Sequence, residues 1–332
     1  VGDTLLDRYD ALLLDLDGTV YRGTHPVPGA AEAIERARDR GVAVRFVTNN
    51  ASKAPSAVVA HLGDVGVPSS GDEVSTSAQA GVQLLTERVE PGRKVLVVGT
   101  DALADQVAEA GLVPVRTATD DVAGVVQGHS PDTAWPVLAE ACLAIRAGAT
   151  WVACNEDATL PAERGLLPGN GAMVAALRAA TDQAPVVAGK PETPLFRLAA
   201  DSAGSTRPLV VGDRLDTDIA GAVAADMASL AVLTGVVSPA ALLAAAPAQR
   251  PDYVATDMAA LDQPADACAV GPDEAWTVRT AGADLVVTAT GEEGSAPGLL
   301  RALCHAAWRE GSTSVRAGDD RADAALAELG LA

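Results

Sequence analysis

Two carboxylates one residue apart, Asp15 and Asp17, close the apolar run Leu12-Leu13-Leu14 and are followed by Gly18 and Thr19. On an extended strand residues i and i+2 point to the same side, so both acids can serve one site. Ionised carboxylates that close repel each other unless one takes a proton or a cation bridges them. These types at this spacing predict a nucleophile, a neighbouring acid/base and a divalent metal, with Gly18 letting the backbone approach a bound anion.

Such groups need a scaffold that holds them at strand ends. Residues 10–50 read as strand (11–16), loop, helix from Ala30 and a β-branched strand (42–47) that ends at Thr48-Asn49-Asn50, with a helix over about 53–62. This alternation predicts a parallel sheet covered by helices, in which ligands sit beyond the carboxyl ends of strands. A second α/β unit follows, with strands over 94–99, 122–126 and 150–154 and helices over 102–110, 133–146 and 171–180. It reads as an insertion with hinges near Arg88 and Ala184. The main sheet is expected to resume at 185–191, then continue with a helix (193–203), a strand (208–212) ending at Asp213, a helix (216–226), a strand (229–233) and an edge strand (251–255). From about residue 267 the pattern changes to paired strands (275–280, 284–290), a helix (297–310), a strand (314–316) and a helix (321–329). That tail is marginal as an independent domain and carries no catalytic constellation; a structural or interface role is expected.

Length and composition narrow the function. At 332 residues the chain suits two or three domains. The formal net charge of -20, from 24 basic and 44 acidic residues, opposes nucleic-acid binding. Any phosphate site must then be built locally from amides, a metal and single cations. No apolar run approaches the roughly 20 residues of a membrane span, and the acidic start lacks signal-peptide character, so a cytoplasmic location is expected. Cys142, Cys154, Cys268 and Cys304 show neither zinc nor disulfide spacing, and His25, His61, His129 and His305 are equally dispersed.

Four pieces in chain order complete the pattern: Asp15 with Asp17, Thr48-Asn49, Lys190 in Ala188-Gly189-Lys190-Pro191, and Gly212-Asp213 with Asp216 and Asp218. Each lies at or just past a predicted sheet strand. Together they resemble the four motifs of the haloacid dehalogenase (HAD) superfamily, over roughly residues 10–262. The phrases around Thr48, Lys190 and Asp213, with Asn155-Glu156-Asp157 in the insertion, are similar to its NagD-like, 4-nitrophenyl phosphatase-like branch; Ala51 replaces the serine usual after the paired asparagines. The resemblance implies an α/β fold: a Rossmann-like core with a parallel sheet (1–87 and 185–264), an inserted α/β C2-type cap (88–184) and a C-terminal α+β extension (265–332).

Carried onto this chain, the resemblance implies a phosphomonoesterase with an aspartyl-phosphate intermediate. Asp15 is the expected nucleophile, ionised at neutral pH without a general base, and Asp17 the acid/base for the leaving alkoxide. One Mg²⁺ per site is expected on Asp15, the Asp17 carbonyl, Asp213 and Asp218, the last directly or through water. Leu16, Asp17 and Gly18 amides, Thr48, Asn49 and Lys190 are expected to bind phosphate. Asp216 is left open between the metal motif and a helix cap. His129, Asn155, Asp157 and Arg214 are candidates for the cap side of the substrate. The expected substrate is a small phosphate ester, glycerol 3-phosphate first, with phosphoglycolate, 4-nitrophenyl phosphate and pyridoxal phosphate as alternatives. A non-catalytic metabolite-binding or scaffold protein is the distant alternative. Pairing of two copies through the cap is a further expectation from the resemblance.

Overall fold

The structure is a computed structural model describing residues 2–162 and 164–332. Its packing separates the chain into two units, Val1–Arg45 with Val65–Val67 and Ala203–Ala332, and Phe46–Asp64 with Pro68–Ser202.

The first unit holds parallel strands in the order Tyr253–Ala255, Ala228–Val232, Pro208–Gly212 and Ala11–Leu14. Residues Ala11, Leu12, Leu13 and Leu14 are all buried, as a strand covered on both faces requires. Ala43, where the strand Ala43–Thr48 begins, donates its amide to the Asp10 carbonyl at 3.0 Å. Leu14 pairs with Val211 and Gly212 with Ala231. Neighbouring parallel strands thus finish on one edge and deliver Asp15, Asp213 and the turn after Val232 side by side.

The extension folds as expected: Trp276–Ala281 and Asp284–Ala289 form an antiparallel pair, Ser314–Ala317 adds in parallel, and the helices are Ala296–Glu310 and Asp320–Glu328. It does not close a core of its own. Leu299, Leu300 and Leu303, a helical stripe, share one buried cluster with Ile219, Ala231, Val237, Leu242 and Leu243. The start of the chain clasps the same junction, through Ala265 N donating to Asp3 O at 2.9 Å and the Arg8–Asp266 ion pair.

The second unit is built on five parallel strands in the order Val186–Val187, Thr150–Ala153, Val122–Gln127, Lys94–Val98 and Val113–Val115. Its core includes Leu96, Val98, Val125, Ile145, Trp151 and Leu177. Phe46, Val47 and Thr48 pair in parallel with Val74, Ser75 and Thr76. One expectation is corrected here. Segment 185–191 does not resume the main sheet: Val186–Val187 lies along Val152 and Ala153, and Ala188 N donates to Ala153 O at 2.9 Å. Two valines are too short to declare a neighbour, and their amides are satisfied by the strand Thr150–Ala153. The hairpin Thr159–Ala162 with Gly165–Pro168 was not anticipated. Among the described residues no helix is long and apolar enough to cross a membrane.

Candidate active site

The first unit brings three of the predicted acids together. Carboxylate oxygens of Asp15, Asp213 and Asp218 all lie within 4.8 Å of one another; Asp15 is half-buried, Asp213 and Asp218 fully buried. Like charges this close repel by at least about 3 kcal/mol per pair at an effective dielectric near 20. Three anions cannot be held so without a proton or a cation between them. An all-oxygen, carboxylate-rich set suits a hard divalent ion such as Mg²⁺, so the residues present fit the metal the motifs imply.

Glycines make this density of charge possible. A Cβ on Gly212 would lie 2.4 Å from Asp218 Cβ, one on Gly18 2.3 Å from Asp213 Oδ2, and one on Gly235 1.9 Å from the same oxygen. Asp213 Oδ2 accepts from Val236 N at 2.7 Å and Asp218 Oδ2 from Arg214 N at 3.1 Å. Thr234 Oγ1 donates to Gly18 O at 2.7 Å, and Val237 N to Asp213 O at 2.8 Å. The turn Thr234-Gly235-Val236 is thus a wall of the acidic cluster, and sequence reasoning missed it. The signal was present: a Thr-Gly step directly after an apolar strand on the same sheet edge.

Asp17 is exposed and stands apart from the carboxylate cluster, its Oδ1 3.4 Å from Gly23 N. Gly18 requires correction. Its amide donates to Tyr21 O at 2.7 Å and is committed within the turn, so it does not offer a donor to phosphate; with φ of 96° it instead gives room to Asp213. Among the described residues no such main-chain bond is formed by the amides of Leu16 and Asp17, which keep the anion-binding role open to them.

The remaining predicted residues of the last motif divide. Asp216 neither joins the carboxylate group nor caps a helix: it is exposed and pairs with Arg214, Nη2 to Oδ2 at 2.7 Å. Arg214 is accordingly held by its near neighbour. The predicted helix over 216–226 opens as a π-type turn, Leu215–Ile219, before Ala220–Ala224. The wider turn keeps Asp218 buried at the acidic cluster while Asp216 faces outward.

In the second unit Asn49 is the organiser. Its Oδ1 accepts from Lys190 N at 2.7 Å and its Nδ2 donates to Lys190 O at 3.0 Å. The same Nδ2 lies 3.2 Å from Asp157 Oδ2, Asn155 Nδ2 donates to Asn49 O at 2.7 Å, and Ser77 Oγ donates there too at 2.6 Å. Thr48 Oγ1 accepts from Asn50 N at 3.1 Å. Lys190 is buried with Nζ 3.3 Å from Val47 O; a buried ammonium is rare without a partner or a function. Asn155 and Asp157 therefore act first on Asn49. His129 lies just past the strand Val122–Gln127, as a strand-end residue. Cys154 beside Asn155 is buried, which pushes its thiol up to about 12 and keeps it out of any nucleophilic chemistry.

Comparison with known proteins follows this geometry. Residues 12–113 match the haloacid dehalogenase-like hydrolase family model, 187–261 a related HAD-hydrolase-like model, and 273–331 a GCN5-related N-acetyltransferase-like domain. The chain is 46% identical to D-glycerol 3-phosphate phosphatase of Mycobacterium tuberculosis, over 99% of this chain and 96% of that protein. The crystal structure of a glycerol phosphate phosphatase from the same organism, in complex with magnesium, superposes with a TM-score of 0.95 at 47% identity, covering 100% of both chains. An acid sugar phosphatase of Staphylococcus saprophyticus is 36% identical over 70% of this chain and 89% of its own length.

Proposed function

The chain belongs to the haloacid dehalogenase-like hydrolases, as a Mg²⁺-dependent phosphomonoesterase of small phosphorylated metabolites, and on that premise we propose that it hydrolyses glycerol 3-phosphate to glycerol and phosphate. The convergence of the Asp15, Asp213 and Asp218 carboxylates beside the glycine-bounded turn that bears Asp17 carries the phosphatase chemistry, and the likeness along the whole chain to a glycerol 3-phosphate phosphatase supports the substrate.

Asp15, Asp213 and Asp218, with the main-chain carbonyl of Asp17, would hold the metal. Bound Mg²⁺ supplies charge neutralisation when one anion attacks another and orients the phosphoryl group. Asp15 attacks phosphorus as an already ionised carboxylate and takes the phosphoryl group as an aspartyl-phosphate. Asp17, exposed beside the cluster's turn, gives its proton to the departing alkoxide and then takes one from the water that releases phosphate; such catalysis is worth about 10²–10⁴-fold. Amides of Leu16 and Asp17 orient the phosphoryl oxygens. Thr48, Asn49 and Lys190 are phosphate-binding groups in this reading, supported by the clasp of Asn49 on both main-chain polar atoms of Lys190.

The proposed division is a catalytic domain from 1–87 and 185–264, a cap at 88–184 and an extension at 265–332, with the strand Val186–Val187 at the second boundary completing the sheet of the cap. The starts of the second and third family matches, at 187 and 273, support its later boundaries. Pairing of two copies through the cap is supported by the exposed Trp135 (79%) and Leu143 (60%) on the helix Trp135–Arg146. A cytoplasmic location is supported by four free thiols. The test of activity is phosphate release from glycerol 3-phosphate, phosphoglycolate, 4-nitrophenyl phosphate and pyridoxal phosphate, with Mg²⁺ or with EDTA. Glycerol 3-phosphate should give the highest kcat/KM, EDTA should abolish turnover and Asp15→Asn should remove it. Faster hydrolysis of another ester would replace the substrate, and retained activity in Asp15→Asn would remove the nucleophile.

A further inference from the structure

The extension matches an N-acetyltransferase-like family model, yet its structure points inward to the phosphatase. The first turn of the helix Ala296–Glu310 is where a helix would hold an anion. Here Ser295 Oγ accepts from Gly298 N at 3.2 Å, and the Asp273 carboxylate stands so close that a Cβ on Gly298 would lie 2.5 Å from Asp273 Oδ2. An acid supplied by the chain itself fills that end.

The other side of the same helix packs on the segment that follows the turn walling the acidic cluster. Trp308 Nε1 donates to the Leu242 carbonyl at 2.9 Å, and the Arg250 guanidinium lies 5.4 Å from the Trp308 ring centre. Arg301 Nη1 donates to Val254 O at 3.3 Å. Leu299, Leu300 and Leu303 pack in one buried cluster with Val237, Leu242 and Leu243. Val237 is the residue whose amide donates to Asp213 O, next to Val236, whose amide holds Asp213 Oδ2. Side chains of the extension and a metal-ligand candidate are therefore separated by one short segment, residues 236–243.

We infer that the C-terminal extension is a positioning element of the metal site, with Trp308 and Leu303 fixing the segment 236–243 that orients Asp213. The inference rests on the metal role of Asp213 and adds a function to residues outside the phosphatase motifs. Outer contacts of this kind typically change metal affinity by 10-fold to 100-fold; one layer further out, about tenfold is expected.

Calorimetric titration of Mg²⁺ into the full chain, without substrate, tests it. Trp308→Phe keeps an aromatic ring, though a smaller one, and removes the N–H donor. Leu303→Val and Leu326→Val are a matched pair, because both leucines are buried in the same cluster, but the helix of Leu303 packs on Pro239–Leu243 whereas that of Leu326, Asp320–Glu328, packs on Asp284–Ala289 and Ser314–Ala317. Trp308→Phe and Leu303→Val should weaken Mg²⁺ binding about tenfold, with KM for 4-nitrophenyl phosphate unchanged and kcat restored at saturating Mg²⁺. Leu326→Val should leave Mg²⁺ affinity at the parental value. Unchanged affinity in both Trp308→Phe and Leu303→Val would overturn the inference alone, as would an equal loss in Leu326→Val. A parent chain that binds no Mg²⁺ would overturn the metal reading and this inference with it.

Discussion

Gly235→Ala is the most demanding test of how the acidic cluster is held. The backbone of Gly235 is not left-handed, so an alanine brings no dihedral strain and the effect is purely steric. The added methyl would lie 1.9 Å from Asp213 Oδ2, against 3.4 Å for ordinary contact, so the pair must separate by 1.5 Å. Asp213 is fully buried and tied to Val236 N and Val237 N, which leaves little room to yield. Overpacking of this kind costs about 1–3 kcal/mol of stability. A displacement of about 1 Å at a catalytic group can cost roughly 10²-fold in rate, so kcat/KM should fall at least that far. Phosphate release measured across a Mg²⁺ series should also show half-saturation at higher metal. Gly271→Ala, whose added Cβ meets nothing within 4 Å, is the control and should stay within about 0.5 kcal/mol of the parent with full activity. A Gly235→Ala enzyme with parental kcat/KM and parental Mg²⁺ half-saturation would refute the argument that the turn Thr234-Gly235-Val236 sets the position of Asp213.

Asp17→Asn should lose far more activity on glycerol 3-phosphate than on 4-nitrophenyl phosphate, whose leaving group needs little protonation; equal losses would remove its acid role. Asp10 is raised by burial but lowered further by hydrogen bonds from Ser205, Thr206 and Arg207, and comes to about 2. With the unfolded value near 4, its contribution is present above about pH 4 and is lost as pH falls towards 2. Asp10→Asn should therefore lower Tm at pH 7, with the gap to the parent closing in acid. Burial pushes Cys304, like Cys154, up to about 12, and Cys268 is raised for the same reason. Titration of the native chain with a thiol reagent should label Cys142 alone, all four reacting once the chain is unfolded.

The parts of the site legible from sequence are those that local pattern determines. Leu12 to Asp17 announces a buried strand with acids at its end, and Pro208 to Asp213 does the same. Sequence periodicity also located the helices and strands of the extension to within a residue or two. What escaped depends on which elements become neighbours. Val186 and Val187 have the same local character whichever sheet they join. The turn at Gly235 shows its purpose only once the strand Ala228–Val232 lies beside Pro208–Gly212. The Gly18 amide looked available until the turn folded back and Tyr21 offered its carbonyl. Asp216 and Asp218 share the spacing of Asp15 and Asp17, yet a π-type turn sends one outward and one inward.

The pairing of Ala11–Leu14 with Pro208–Gly212 has a consequence for the order of synthesis. The strand that ends at the nucleophile leaves the ribosome about 200 residues before its hydrogen-bonding neighbour Pro208–Gly212, an interval of about 10–40 s at ordinary elongation rates. Throughout that interval the edge of this apolar strand that Pro208–Gly212 will cover stays open, a condition that favours association with other chains. The enzyme is therefore most exposed to aggregation as a nascent chain, and its earliest need for a chaperone falls before the second half of the catalytic sheet exists.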